Sequence, residues 1–349
     1  GEIATRVIRA CKELGIPTVA IYSEEDATSL YVKKADESYM VGPGPIQGYL
    51  NIHRLVDLAT KVGVDAIHPG YGFLSENPKF PKLCEKKGIT FIGPSSQTIT
   101  DMGDKVQARK MMVKAGVPIL PGTEDAINDV DEAVQFAKKI GYPIMVKASG
   151  GGGGRGLRVA RTEKELIDAI TTARKEAGAA FGVSEVFLEK YLDKPHHIEF
   201  QIFADKFGNT VHLGERDCSI QRRHQKLIEI TPSLILTPEL RKRMGEAAVK
   251  AAKAANYANA GTVEFLVDDD RNFYFLEMNT RIQDEHPITE EVTGIDLVKK
   301  QIEVAAGKPL GFTQEDVKVN GFAMECRICA EDPKNNFFPS FGRVTAYYS

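Results

Sequence analysis

The chain has 349 residues, 42% of them hydrophobic and 27% charged, which are globular proportions with enough apolar material for two or three cores. A formal net charge of -3, with Lys and Arg interspersed among Asp and Glu, rules out the basic stripe that nucleic acid or an anionic lipid surface requires. No apolar run approaches the ~20 residues of a membrane span, so small-molecule partners are expected, with no nucleic acid and no membrane.

The chain opens on a helical pattern (Ile3, Val7, Ile8, Cys11, Leu14) that Gly15 and Pro17 terminate. A strand at 18–22 follows, then a helix near 49–62, a strand at 65–68, a helix at 78–87 and a strand at 89–92. This alternation predicts a doubly wound α/β domain with a parallel sheet. Such a sheet normally begins with a strand, so an N-terminal strand is expected to be missing before Gly1. A further helix at 104–115 closes this domain, and Gly116 to Gly122 reads as a crossing.

From Val130 the pattern changes to a helix to 140, strands at 143–148 and 156–160, a helix at 163–177, and strands at 185–191 and 197–204. Two helices against an antiparallel sheet predict an α+β lid over about 130–204. More strands, a helix around 238–255, a hairpin and a helix at 295–306 follow. The fold class is therefore α/β and α+β multidomain: residues 1–115, 116–310, and the start of a third domain at 311–349. The five cysteines are scattered and odd in number, which fits free thiols in a reducing, cytoplasmic setting. Cys326 and Cys329 sit on a strand where positions three apart point to opposite faces, so they do not predict a metal site.

Ser149 to Gly156 carries five consecutive glycines between two strands, with no Gly-Lys-Ser/Thr after them. It is neither a Walker A loop nor a dinucleotide fingerprint. Unobstructed backbone N–H groups suit phosphate oxygens, and Lys147 in the preceding apolar strand needs an anionic partner; a flexible hairpin turn is the plainer alternative.

Residues 261–267 and 272–279 are apolar strands joined by the turn-like Asp268-Asp-Asp-Arg, a β-hairpin that sets Glu264 opposite Glu277 within one residue. Alternation puts Glu277 and Asn279 on one face. Two carboxylates and an amide oxygen converging in an apolar sheet suit Mg²⁺ or Mn²⁺, against the simpler reading of surface glutamates. Downstream, Arg281 and Gln283 share a face if the strand continues, a receptor for a small planar anion. Glu285 beside them is placed to take that anion's proton, provided its pKa lies near working pH. The run Glu215 to Lys226 crowds four cations with His224 and offers Lys226 as a second positive charge.

These stretches, with His68-Pro-Gly-Tyr-Gly-Phe-Leu-Ser-Glu-Asn, Met102-Gly-Asp-Lys and Glu325-Cys-Arg, resemble biotin carboxylase within the ATP-grasp superfamily along essentially the whole chain. The resemblance implies carboxylation of carrier-borne biotin with ATP and bicarbonate, through carboxyphosphate. It also implies Mg²⁺ or Mn²⁺, a biotin carboxyl carrier domain, a carboxyltransferase component and a homodimer. Lys105 and Lys147 would contact phosphates, with Gly153 and Gly154 closing over them. Glu189, Lys190, Tyr191 and Leu192 would edge the adenine, and His197, Gln221 and His224 would line the nucleotide site. Glu264, Glu277 and Asn279 would hold the metal, the two glutamates also bordering the nucleotide. Lys226, Arg281, Gln283, Asp284 and Glu285 would receive bicarbonate, and Arg327 would stabilise the biotin enolate; Arg281, Glu285 and Arg327 are the catalytic set.

Asp284 stands where the family has an apolar valine, so it adds a negative charge beside an anion site and is expected to weaken bicarbonate binding. Cys329 stands where the family usually has Asn. A long C-terminal stretch of the family unit is also expected beyond Ser349. Two other readings share the hairpin and lid: a different ATP-grasp ligase, and a catalytically silent ATP-binding subunit.

Overall fold

A computed structural model describes residues 1–123, 125–127, 129–148, 157–181, 186–223, 225–340 and 342. The N-terminal part packs the helix Glu2–Glu13 and the helix Ile52–Val62 around two parallel strand pairs, Val19–Ser23 with Glu37–Gly42 and Ala66–Ile67 with Thr90–Phe91. Asn51 caps the second helix through the backbone N–H of Arg54, and Gly63 ends it at φ 79°, a left-handed conformation that glycine adopts at no cost. The strand Glu37–Gly42 and the helix Ser96–Gly103 escape the sequence reading. The strand leaves Met40 half open, and the helix buries only Thr98, Ile99 and Met102 behind a Ser95 cap.

A six-stranded sheet forms the centre, in the spatial order Phe273–Asn279, Asn259–Val267, His196–Ala204, Thr210–Arg222, Gln225–Thr231 and Ala323–Cys326. Its dry face packs on the helix Pro238–Ala254, whose buried Leu240, Met244, Ala247, Ala248, Ala251 and Ala252 recur at helical spacing. Thr237 caps that helix and Pro238 opens it. Gly245 is required there, because any Cβ would collide with the His212 ring.

A separate three-stranded sheet, with Ile144–Ala148 between Leu157–Ala160 and Val186–Lys190, carries the helices Val130–Ile140 and Glu163–Phe181 and has its own core. The strand His196–Ala204 does not belong to it. The compact α+β unit thus ends at Lys190 rather than near 204, because that strand finds its partners in the central sheet, Asn259–Val267 and Thr210–Arg222. No helix of the described residues is long and apolar enough to cross a membrane, and all five cysteines are free.

Candidate active site

Period-two alternation sorts the central strands. Ile198, Phe200 and Ile202 pack into the dry core with Val263 and Phe265, while His197, Glu199 and Gln201 alternate with them. Register then builds a row across four neighbouring strands: Glu277 opposite Glu264, Glu264 opposite Glu199, Glu199 opposite Arg216. Adjacent like charges at that spacing repel, so the row stands only if cations compensate it.

Lys226 does so from above. Its ammonium donates to Glu199 Oε2 at 2.5 Å, Glu285 Oε1 at 2.6 Å and Glu264 Oε1 at 3.2 Å. Arg216 does so from within, and it is completely buried. Its five N–H donors meet five acceptors: Glu199 Oε1 (2.6 Å), Gln201 Oε1 (2.8 Å), Thr289 Oγ1 (2.9 Å), Gln283 Oε1 (2.9 Å) and Thr262 Oγ1 (3.3 Å). Because Arg216 takes the Gln283 carbonyl, the Gln283 amide is turned toward Glu264 Oε1, at 3.2 Å. Asn279 donates to the same oxygen at 2.8 Å and accepts from Arg281 Nη2 at 3.2 Å.

The strand stops at Asn279, so Arg281 and Gln283 do not share a face by continued alternation. They converge instead through an irregular turn that leads into the helix His286–Thr293, one bonding Asn279 and the other Glu264. Arg281 is aimed from the N-terminal part: its Nε donates to Glu76 Oε2 at 3.0 Å, while Glu76 Oε1 accepts the Thr280 backbone N–H at 3.0 Å. Of the four cations crowded into 215–226, Arg222 turns away to Glu331 and the ring of Phe337. Only Arg216 and Lys226 enter the cluster.

The charges act as the geometry dictates. Burial pushes Glu264 up, but the hydrogen bond and charge of His197 and the charge of Lys226 prevail and bring it to about 2. His197, 2.6 Å from Glu264 Oε2, is raised despite its burial. Lys226 is held well above its ordinary range by Glu199, Glu264 and Glu285, again against burial. Burial alone would raise Glu285, yet its hydrogen bond with Asp284 and the charges of Lys226 and Arg216 hold it well below the carboxylate range. These partners keep Glu285 in the ionised form, the form in which a carboxylate accepts a proton. Burial and the Glu285 carboxylate push its neighbour Asp284 up to about 6.

Glu264, Glu277 and Asn279 offer the hard oxygen donors that Mg²⁺ or Mn²⁺ prefers. Burial and the Glu264 charge raise Glu277, as expected of a carboxylate pair that a cation would relieve, and the set fits such an ion. Among the described residues the tightest groupings of candidate ligand atoms are His197 with Glu199 and Glu264, and Glu199 with Cys218 and Glu285. Lys226 already compensates both. Lys105 opens the helix Lys105–Lys114, exposed, with its charge acting on Glu277.

On the lid side, the Lys147 ammonium is paired with Glu189 rather than free for phosphate, and Arg109 joins the same carboxylate at 3.4 Å. Lys190 spends its charge on the carbonyls of Gly141 (3.0 Å) and Tyr142 (2.8 Å) at the end of the helix Val130–Ile140. Tyr191 and Leu192 follow, partly buried. The Gln221 amide lies 2.8 Å from His197 Nδ1. Gly153, Gly154 and His224 lie outside the described residues.

Glu76, Glu199 and Arg216 are site residues to which sequence reasoning assigned no role. Glu199 was detectable as a charge inside an apolar strand, and Glu76 stood within the stretch His68 to Asn77 already singled out.

Two family descriptions match the chain: "Biotin carboxylase, N-terminal domain" over residues 1–99 and "Carbamoyl-phosphate synthase L chain, ATP binding domain" over residues 104–313. The 2-oxoglutarate carboxylase small subunit of Hydrogenobacter thermophilus is 59% identical over 348 residues, covering 100% of this chain and 74% of its own. Biotin carboxylase 1 of Bacillus subtilis is 56% identical over 349 residues, covering 99% and 78%. The crystal structure of the H. thermophilus 2-oxoglutarate carboxylase biotin carboxylase domain dimer, in complex with MgADP, ADP and bicarbonate, superposes with a TM-score of 0.88 at 59% identity, covering 100% of this chain and 77% of that one. Fold and site together define a nucleotide-dependent ligase of the ATP-grasp class. Within that class, the chain belongs to the biotin carboxylase family.

Proposed function

We propose that this chain carboxylates biotin, carried on a separate carrier domain, at the expense of ATP and bicarbonate, and hands it to a carboxyltransferase component. It works in the cytoplasm as a homodimer. The observation that carries the reading is the Lys226 ammonium bound at once to Glu199, Glu264 and Glu285, beside the anchored guanidinium of Arg281. This is a compact anion receptor with a base built into its wall.

In this reading bicarbonate lies between Lys226, Arg281 and the Gln283 amide. Glu285 removes its proton, the freed oxygen attacks the γ-phosphorus of ATP, and the bond to ADP breaks. The resulting carboxyphosphate splits into phosphate and carbon dioxide; the phosphate takes the ureido N–H proton of biotin beside Arg327, and the electron pair left on nitrogen forms the new bond to the carbon of carbon dioxide. Glu264, Glu277 and Asn279 would hold Mg²⁺ or Mn²⁺, whose charge neutralises the phosphate oxygens. The chain's own share is positioning and charge complementarity in a site shielded from water.

Lys105, Lys147, Gly153 and Gly154 take the phosphates. Glu189, Lys190, Tyr191 and Leu192 border the adenine, with His197, Gln221 and His224 along the nucleotide. For Lys147 this requires exchanging Glu189 for a phosphate as the lid closes. The division at 1–115, 116–310 and 311–349 belongs to the same proposal, with the lid ending at Lys190.

The test is phosphate release from ATP with Mg²⁺, with and without bicarbonate and free biotin, alongside fixation of labelled bicarbonate on biotin. Bicarbonate-dependent hydrolysis stimulated by biotin is the expected result. Hydrolysis indifferent to bicarbonate would sink the assignment.

A further inference from the structure

Behind the bicarbonate receptor lies a second group of acids that this mechanism does not use. The strands Gln225–Thr231 and Ala323–Cys326 run antiparallel, with Glu229 directly opposite Glu325, so both side chains leave on the same face. Glu229 is completely buried, and neither of its carboxylate oxygens has a hydrogen-bond partner. The same holds for one oxygen of Glu325, one of Glu285 and the Nε of Arg327. Polar atoms left open in a closed space need either a proton or a guest.

A guest cation is disfavoured, since neither Glu229 nor Glu325 enters any close grouping of three ligand atoms among the described residues. The charged groups facing the pair are Asp284 and Glu285 from the turn before the helix His286–Thr293, Lys226 from the same strand as Glu229, Arg216 from the next strand, and Arg327 just past Cys326. Burial above all, then the negative charges of Glu285 and Asp284 and, for Glu325, that of Glu229, outweigh the three cations and push both glutamates up to about 7.

We propose that Glu229 and Glu325 share one proton and serve as the proton store of Glu285. The inference rests on reading Glu285 as the base. Glu285 is strongly ionised and so gives up a captured proton readily. When it takes the proton of the bicarbonate hydroxyl, the O–H electron pair stays on the attacking oxygen. The proton then passes from Glu285 to the ionised member of the pair, groups whose charges already act on one another. Glu285 is left ionised, and the store later discharges to a phosphate oxygen or to water.

The wild-type chain is titrated by infrared spectroscopy without substrates. A carboxylic-acid C=O band that disappears near neutral pH is expected, and Glu229→Gln should shift the remaining titration to lower pH by removing the repulsion. Glu229→Gln and Glu325→Gln should each lower kcat for bicarbonate-dependent ATP hydrolysis by about tenfold, with an altered pH profile and KM for ATP within about twofold. Absence of the band overturns the shared proton, and this result does not depend on any variant folding. A band accompanied by wild-type rates and pH profiles in both variants overturns the store. Wild-type hydrolysis indifferent to bicarbonate would instead count against the enzymatic reading, which the substrate-free titration does not address.

Discussion

The carboxylate of Asp284 and the guanidinium of Arg327 close on each other as an ion pair at the rim of the Lys226 cluster. The negative charge that Asp284 brings to an anion site is thus taken up by the cation that the proposed mechanism reserves for biotin. Asp284→Asn should free Arg327 and remove the repulsion of bicarbonate. KM for biotin and for bicarbonate should each fall by about three- to tenfold, about 1 kcal/mol of binding. The biotin effect should vanish in an Arg327→Ala background, which steady-state kinetics on the double mutant would show.

Glu76 reaches from the N-terminal part to hold Arg281 and the backbone of Thr280. Glu76→Gln keeps the shape and removes the charge. Misplacing Arg281 should lower kcat by about tenfold while KM for ATP stays unchanged. A variant with wild-type kcat would show that Arg281 is aimed by its other contacts.

Arg216 and Glu199 are both fully buried, so removing the cation strands an anion. Arg216→Met should destabilise the chain by about 3–5 kcal/mol in urea denaturation. Arg216→Lys should not rescue it, since one ammonium cannot serve five acceptors. By contrast Arg9→Met, which breaks a pair whose side chains are 69% and 45% exposed, should cost under about 1 kcal/mol.

Stability should also respond to pH through the raised carboxyls. Glu229 and Glu325 move from an ordinary 4.5 to about 7, and Asp284 from 3.8 to about 6. Over that interval the folded chain holds protons that the unfolded chain has lost, so their contribution is full below the ordinary values and is lost as pH rises toward about 7. Glu264, lowered to about 2, works in the opposite sense: its contribution is full above 4.5 and is lost as pH falls toward about 2. Burial holds His68, His212 and His286 down at about 4, which works against this up to about 6.5. The readout is therefore the difference between proteins: the melting temperature of Glu229→Gln should fall less, or rise more, than that of the wild type as pH goes from slightly acid to neutral. An unchanged slope in the variant would refute the assignment.

The hairpin was legible because alternation and a four-residue turn leave little freedom. Glu264 faces Glu277 as the spacing required. The polar run after it was not, since nothing local reveals that the strand stops at Asn279 and that convergence comes from contacts with Asn279 and Glu264. Glu76, Glu199 and Arg216 were missed for the same reason: their roles arise between elements far apart in the chain. The position of His196–Ala204 shows a related limit, since an apolar strand does not announce which of two sheets will claim it.

The contact between Glu76 and Arg281 makes the anion receptor joint property of the N-terminal part and the ATP-binding part. A molecule in which the N-terminal part is not docked possesses the carboxylates and Lys226 but lacks an oriented Arg281. Such a molecule is poorly equipped to spend ATP on an intermediate that decays in water. The joint thus ties the orientation of Arg281 to the docking of the N-terminal part.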